Sequence, residues 1–326
     1  MLFEFAPTAQ FSFLEAFARQ AGATLQDNTL TLPPSLGVGT IKRVRLTPDF
    51  SLLMHQYTLI DELILRRTAA SHVADRINVL IQGNTGSFDQ SGPADARATD
   101  QRMEYTVRIT SPDVDSELYF PAGKTIFFTV LSMTRPALLN LLGINQMNEV
   151  VREILTGTQG FLFYETMSAD AQKALKLLAT VDMRFALSEL RVWIQIQSLL
   201  CWLFERLLKR ETLAHRPIHR VDADQLERVR AAVVADLSVR PQLPQLALLS
   251  GMSVSKLTDL YKQVFGESIY DYFQIARMDE AGYLLQQGGG SVAEIGHRLG
   301  FSNLSHFSRL FEKHYGITPK RFALDR

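Results

Sequence analysis

The chain has 326 residues, enough for two domains with separate cores, and its 46% apolar and 21% charged residues exclude extensive disorder. Thirty-four Lys/Arg balance thirty-four Asp/Glu, so whole-chain charge decides nothing about a polyanionic partner and any DNA site must be a local arrangement. An opening Met1-Leu-Phe-Glu-Phe without a basic flank or long apolar run, and a single cysteine, Cys201, point to the cytoplasm.

Phe13, Leu14, Phe17 and Ala21, followed by a glycine stop, predict a short helix over 11–22. Residues 38–46, 51–59, 62–68, 76–82, 105–110 and 125–133 are short, rich in Val, Ile, Leu, Thr and aromatics, and bounded by turn chemistry such as Thr47-Pro48-Asp49 and Pro121-Ala122-Gly123. They predict a β-sandwich or small barrel, with the polar, glycine-rich run 83–102 as a long surface loop. From Pro136 the periodicity turns helical, over 137–142, 147–155, 169–179 and a long helix at about 185–209. That helix is no membrane span, because Arg191, Gln195, Gln197, Glu205 and Arg206 interrupt its apolar run. Leu187, Leu190, Ile194, Cys201, Phe204 and Leu208 make a broad apolar face, flanked by Trp193 and Trp202, that suggests a homodimer contact. The charged, proline-containing stretch 214–222 reads as a linker, giving domains 1–216 and 217–326.

The second domain contains an internal repeat. Leu246 to Gly266 recurs as Ile295 to Gly316, with Gly251 answering Gly300 and Ser253 answering Ser302. After one extra residue in the second copy, Leu257 answers Phe307, Tyr261 answers Phe311 and Gly266 answers Gly316. Each copy has a short helix, a glycine turn, and a serine placed to cap a second helix. The apolar residues of that second helix (Leu257, Leu260, Tyr261, Val264, Phe265; Phe307, Leu310, Phe311, Tyr315) dock it on its neighbours and leave a polar face outward. This is helix-turn-helix grammar, whose second helix lies in a major groove. Residues 270–287 between the copies predict one helix about 27 Å long at 1.5 Å per residue, a spacer suited to recognition helices roughly 34 Å apart on one face of DNA.

These residues resemble the AraC/XylS transcriptional regulators over about 222–326: Gly251-Met-Ser, Phe265-Gly266, Ile275-Ala-Arg-Met-Asp-Glu-Ala, Leu284-Leu285, Val292-Ala-Glu-Ile, Gly300-Phe-Ser, Phe307-Ser-Arg-Leu-Phe and Gly316-Ile-Thr-Pro. The resemblance implies a seven-helix DNA-binding domain behind an amino-terminal half that senses a signal, in a cupin-like fold, or dimerises. It also implies double-stranded DNA as partner, and RNA polymerase if the protein is an activator. The fold class is therefore α+β in two domains: a β-sandwich or barrel followed by helices, then an all-α domain with two helix-turn-helix units joined by a long helix.

The outward positions of the first recognition helix are Ser255, Lys256, Thr258 and Asp259, with Lys262 one turn later; in the second unit they are Ser305, His306 and Arg309, with Lys313 later. Arg309 is the best base reader, because a guanidinium bonds guanine O6 and N7 together. Asp259 departs from the pattern: it must accept from a cytosine amino group or turn away from the phosphates. Twelve Lys/Arg against twelve Asp/Glu from residue 222 onward predict modest affinity for one chain, which favours pairing of two.

The first half offers less. His55 and His72 stand apart from other donors, so no metal or cofactor is expected, and His55, Tyr57 and Arg66 read as an ordinary sheet face. Lys256 to Gly266 with Tyr270-Asp-Tyr272 resembles the siderophore-responsive branch of the family, which implies an iron-siderophore type among possible small-molecule effectors. Cys201 on an apolar helix does not suit alkylation-repair chemistry, and the sequence has no phosphate loop or serine elbow, so no enzyme is expected. The competing readings are a helical protein-interaction adaptor and a DNA-binding dimer without a small-molecule ligand.

Overall fold

The computed structural model describes every residue except 9–10, 70–74, 84–104, 158–159, 211–217, 219 and 325–326. The expected loop beyond Gly83, His72 and the stretch around Pro217 lie outside these residues. Two compact units are formed, Met1–Arg220 and Val221–Arg326.

The first unit is built on an eight-stranded sheet in the order β11-β8-β7-β10-β5-β4-β3-β2. Its strands are β2 (Thr24–Gln26), β3 (Thr29–Thr31), β4 (Gly37–Thr47), β5 (Phe50–Leu59), β7 (Arg76–Gln82), β8 (Thr106–Thr110), β10 (Thr125–Thr134) and β11 (Leu162–Thr166). A small second sheet joins β1 (Leu2–Phe5), β6 (Leu63–Arg67) and β9 (Ser116–Phe120). Neither sheet closes on itself among the described residues. The central strand β10 reads as a nearly continuous apolar run because both its faces are buried. Phe127, Leu131 and Met133 face one core with Leu52, Met54, Ile77 and Val79, and Ile126 and Phe128 face another with Phe3, Leu14, Phe17 and Phe120.

Helices cover the first of these cores: α2 (Arg135–Leu142), α3 (Glu149–Thr156), α4 (Ala169–Ala179) and α5 (Ser188–Leu208). The small sheet and α1 (Phe13–Ala21) cover the other. The end of α5 is held twice. Asn148 caps α3 by accepting from Val151 N at 2.9 Å and donates its amide to the carbonyls of Leu207, Leu208 and Arg210. Glu165 on β11 accepts from Arg206 at 3.2 Å and from Arg210 at 2.8 Å, with the Glu165 and Arg210 side chains only 5% and 6% exposed.

The long-helix expectation needs one correction of detail. α5 starts at Ser188, after Leu187 in a left-handed conformation (φ 63), and Phe204 belongs to its buried side with Val192, Ile196, Leu199 and Leu203. Leu187, Leu190, Ile194 and Cys201 are exposed, so the apolar residues lie on two faces. No helix among the described residues is long and apolar enough to cross a membrane.

The second unit has seven helices among the described residues: α6 (Arg220–Ala235), α7 (Leu243–Ser250), α8 (Val254–Phe265), α9 (Ile269–Gln286), α10 (Val292–Arg298), α11 (Leu304–Tyr315) and α12 (Pro319–Leu324). The first unit is β-rich and the second helical, in keeping with the expected α+β class. Residues 220–222 belong to α6 rather than to a linker. Leu226, Val229 and Val233 recur at helical spacing and are all buried.

Candidate nucleic-acid interface

Each copy of the repeat folds as two helices around a glycine. α7 is capped by Gly251 (φ 64), and α8 by Ser253, whose Oγ accepts from Lys256 N at 3.2 Å. In the second copy Gly300 takes φ 78. The cap there is Asn303, whose Oδ1 accepts from His306 N at 3.0 Å, and not Ser302. The extra residue of the second copy falls at this point, so the helix starts one position later and an asparagine does the work expected of the serine. The helix before it starts with a capping box: Ser291 Oγ accepts from Glu294 N at 3.2 Å while Glu294 accepts from Ser291 N at 2.7 Å. Those bonds hold the Glu294 carboxyl below its usual range.

The apolar faces dock as the spacing predicts. Leu257, Leu260, Tyr261, Val264 and Phe265 are buried, as are Phe307 and Phe311, while Leu310 and Tyr315 are half-buried. Tyr315 packs against α9 at Gly282, where a Cβ would meet the Tyr315 hydroxyl at 2.3 Å. Burial and then Asp279 raise that hydroxyl's pKa.

On the opposite faces, Ser255 and Asp259 of α8 are exposed and Lys256, Thr258 and Lys262 half-exposed; Ser305, His306, Arg309 and Lys313 of α11 are all exposed. In the first helix-turn-helix copy, Lys256 and Thr258 are engaged within the domain. Lys256 Nζ lies 2.7 Å from Asp222 on α6, and the Thr258 hydroxyl bonds back to the carbonyls of Val254 and Ser255. A lysine held by an acid offers a phosphate less than a free one. In the second copy, among the described residues, Arg309 makes a long 3.4 Å contact with the Ser305 carbonyl, an exposed bond easily exchanged for a base. Charge is divided in the same sense: residues 222–290 hold six Lys/Arg and nine Asp/Glu, residues 291–326 six and three.

Arg277, inside the Ile275-to-Ala281 motif, is a residue whose role spacing does not reveal. It is 7% exposed on α9. Its Nε donates to the Leu299 carbonyl at 3.0 Å, just before the second turn, and its guanidinium lies 3.6 Å from the centre of the Phe301 ring just after it. Burial lowers its pKa, but the arginine still ties the connecting helix to the corner that aims α11. On the other side of that corner, a Cβ on Gly300 would stand 2.0 Å from the Ser238 carbonyl, so only glycine fits.

The helix-turn-helix domain family matches residues 246–324, which contain both copies. Transcriptional activator AggR of Escherichia coli is 38% identical over 99 residues, covering 29% of this chain and 36% of that protein. The MmsAB operon regulatory protein of Pseudomonas aeruginosa is 30% identical over 107 residues, covering 33% of this chain and 34% of that protein. Residues 246–324 are an AraC-type helix-turn-helix domain. The chain spans about a third of the length of these curated relatives, so the likeness speaks for the AraC-type domain and not for Met1–Arg220. A solved probable AraC family transcriptional regulator from Rhodopseudomonas palustris is 23% identical, covers 31% of this chain and 96% of its own, and has a TM-score of 0.30, too slight to add to this.

In the first unit, His55 is buried in an aromatic box, stacked 4.0 Å from Phe128 and edge-on to Phe13 and Tyr57. Burial pushes its pKa down to about 3, which keeps the ring neutral. Arg66 bonds Glu117 at 2.7 Å and Glu4 at 3.2 Å across the small sheet. No group of three metal-donor side chains converges among the described residues.

Proposed function

We propose that the protein is a sequence-specific, DNA-binding transcriptional regulator that sets α8 and α11 into neighbouring major-groove segments of double-stranded DNA. One observation carries the reading: two copies of one turn, each with a left-handed glycine, a side-chain cap and a buried apolar face, leave the polar sides of two helices uncovered. Ser255, Lys256, Thr258, Asp259 and Lys262 form the first contact set and Ser305, His306, Arg309 and Lys313 the second. The second dominates, because it carries the basic excess and its cations are the less engaged. AggR's description as an activator favours activation, with RNA polymerase as a further partner.

The first unit supplies pairing and signal sensing in this reading. Leu187 just before α5, and Leu190, Ile194, Gln197 and Cys201 along it, are exposed at heptad spacing, the pattern of a helix seam that a second copy covers. Sedimentation velocity decides this: Ile194→Glu should leave a monomer where the parent chain is a dimer, and a parent that is monomeric at micromolar concentration refutes the seam.

The DNA reading is tested by selection from a randomised duplex pool with the full chain. A defined motif should be enriched, with affinity falling as salt rises; a pool left random overturns the reading. With that motif in hand, Arg309→Ala should relax preference at one base position by about 1–3 kcal/mol. Lys313→Ala should weaken all sequences alike and reduce the salt slope by about one.

A further inference from the structure

Two arginines of the first unit are buried with no ion pair among the described residues. Arg67, which ends β6, is 8% exposed and Arg108, on β8, 9%. Arg108 lies across from Leu80 on β7 and from Tyr164 on β11. Arg67 reaches from the small sheet to Thr110, two residues along β8 from Arg108 and therefore on the same face of that strand. Arg108 and the end of the Arg67 side chain thus share one face of β8, bordered on the Leu80 side by the apolar core.

Their partners are few. Arg67 Nη2 donates to Thr110 Oγ1 at 3.2 Å and to the carbonyls of Ser111 and Val114 at 3.3 and 2.7 Å, while its Nε is buried with no partner. Arg108 donates one hydrogen bond, from Nη1 to the Tyr164 hydroxyl at 3.1 Å. Neither makes an ion pair among the described residues. Burial, and after it the charge of Arg108, push the Arg67 pKa down to about 10; Asp115 and Asp113 oppose this from beyond ion-pair distance. Two like charges held together out of water are costly unless an anion joins them. Arg108 keeps the Nε and Nη2 donors of the flat fork that matches an oxyanion, Arg67 keeps its unpartnered Nε, and the Thr110 hydroxyl, having accepted from Arg67, keeps its own proton to give.

We propose that Arg67 and Arg108, with Thr110 beside them, bind the oxyanion of a small molecule, a carboxylate or a phosphate, on the β8 face of the first unit. The site lies outside the helix-turn-helix domain, and its test does not use DNA. Failure of the site leaves the DNA reading standing, and the reverse also holds.

The test is thermal unfolding of the full chain titrated with sodium acetate or with inorganic phosphate, against sodium chloride at matched ionic strength. The expected result is a saturable rise with one of the two, about 3–6 °C at ten times its Kd. A rise in acetate assigns a carboxylate, a rise in phosphate a phosphate. Arg108→Met should abolish the rise while unfolding no earlier than the parent in chloride, because it removes an uncompensated charge. Arg108→Lys, which keeps the charge and loses the fork, should bind at least about tenfold more weakly, and it serves if the methionine variant fails to fold. Arg45→Met, on an exposed position of β4, should change nothing. A rise no larger than in chloride, or one that survives in both Arg108 variants, overturns the proposal.

Discussion

Phe307→Ala is expected to cost the second helix-turn-helix unit about 3–5 kcal/mol and to remove its contribution to DNA binding. The ring is fully buried, 5.2 Å from Phe301 and 6.0 Å from Phe311, and it closes against Gly296, where a Cβ would come within 3.3 Å of it. No neighbour can fill the space left behind, because Phe301 is held under Arg277 and Phe311 against Tyr315 and Phe322. Hydrogen exchange of the α11 amides should rise steeply while α8, whose own core is Leu257, Leu260 and Tyr261, keeps its protection. Footprinting on the selected duplex should lose the half-site under α11 first. A loss below about 1 kcal/mol, or equal deprotection of α8 and α11, would contradict this account of two separately packed units on a shared helix.

Glu165→Gln should cost the first unit a comparable amount, about 3–5 kcal/mol, by removing the charge of the buried carboxylate that accepts from both Arg206 and Arg210. Arg206, the other partner, is 48% exposed and can turn to water; Arg210 at 6% cannot. Both tryptophans of the chain, Trp193 and Trp202, lie in α5, so their emission during urea unfolding reports this unit apart from the other. The double variant Glu165→Met/Arg210→Met should recover most of the loss, because removing both charges avoids the cost of stranding one. If the double variant is as unstable as Glu165→Gln, the packing of the side chains matters and their charges do not.

The parts of this structure visible in the sequence are those set by local period and by repetition. The β5 and β10 strands, α9 and the two docked faces all follow from apolar spacing, and the repeat gives each its counterpart. What escapes is short or distant. β1, β2, β3, β9 and β11 have three to five residues each, too few for alternation to register, and β11 sits inside a stretch otherwise helical. The Asn303 cap is legible only if the inserted residue is placed before the helix and not inside it. The Lys256–Asp222 pair joins positions 34 apart, and the grip of Arg277 on Leu299 spans 22; nothing local marks either partner. The helix 220–235 carries the signal of Leu226, Val229 and Val233, overshadowed by the charged, proline-containing run before it.

The corner at Gly300 has a consequence for the DNA rather than for the protein. With the Ser238 carbonyl against it on one side and Arg277 gripping Leu299 on the other, and with Leu237 packed into the core of the second unit, the two readers are parts of one block. In the proposed reading, contacts of this kind oppose a change of phase between the half-sites of α8 and α11. The accommodation falls to the duplex, whose cost of bending and twisting between the half-sites then becomes part of what is read, at base pairs that no side chain touches.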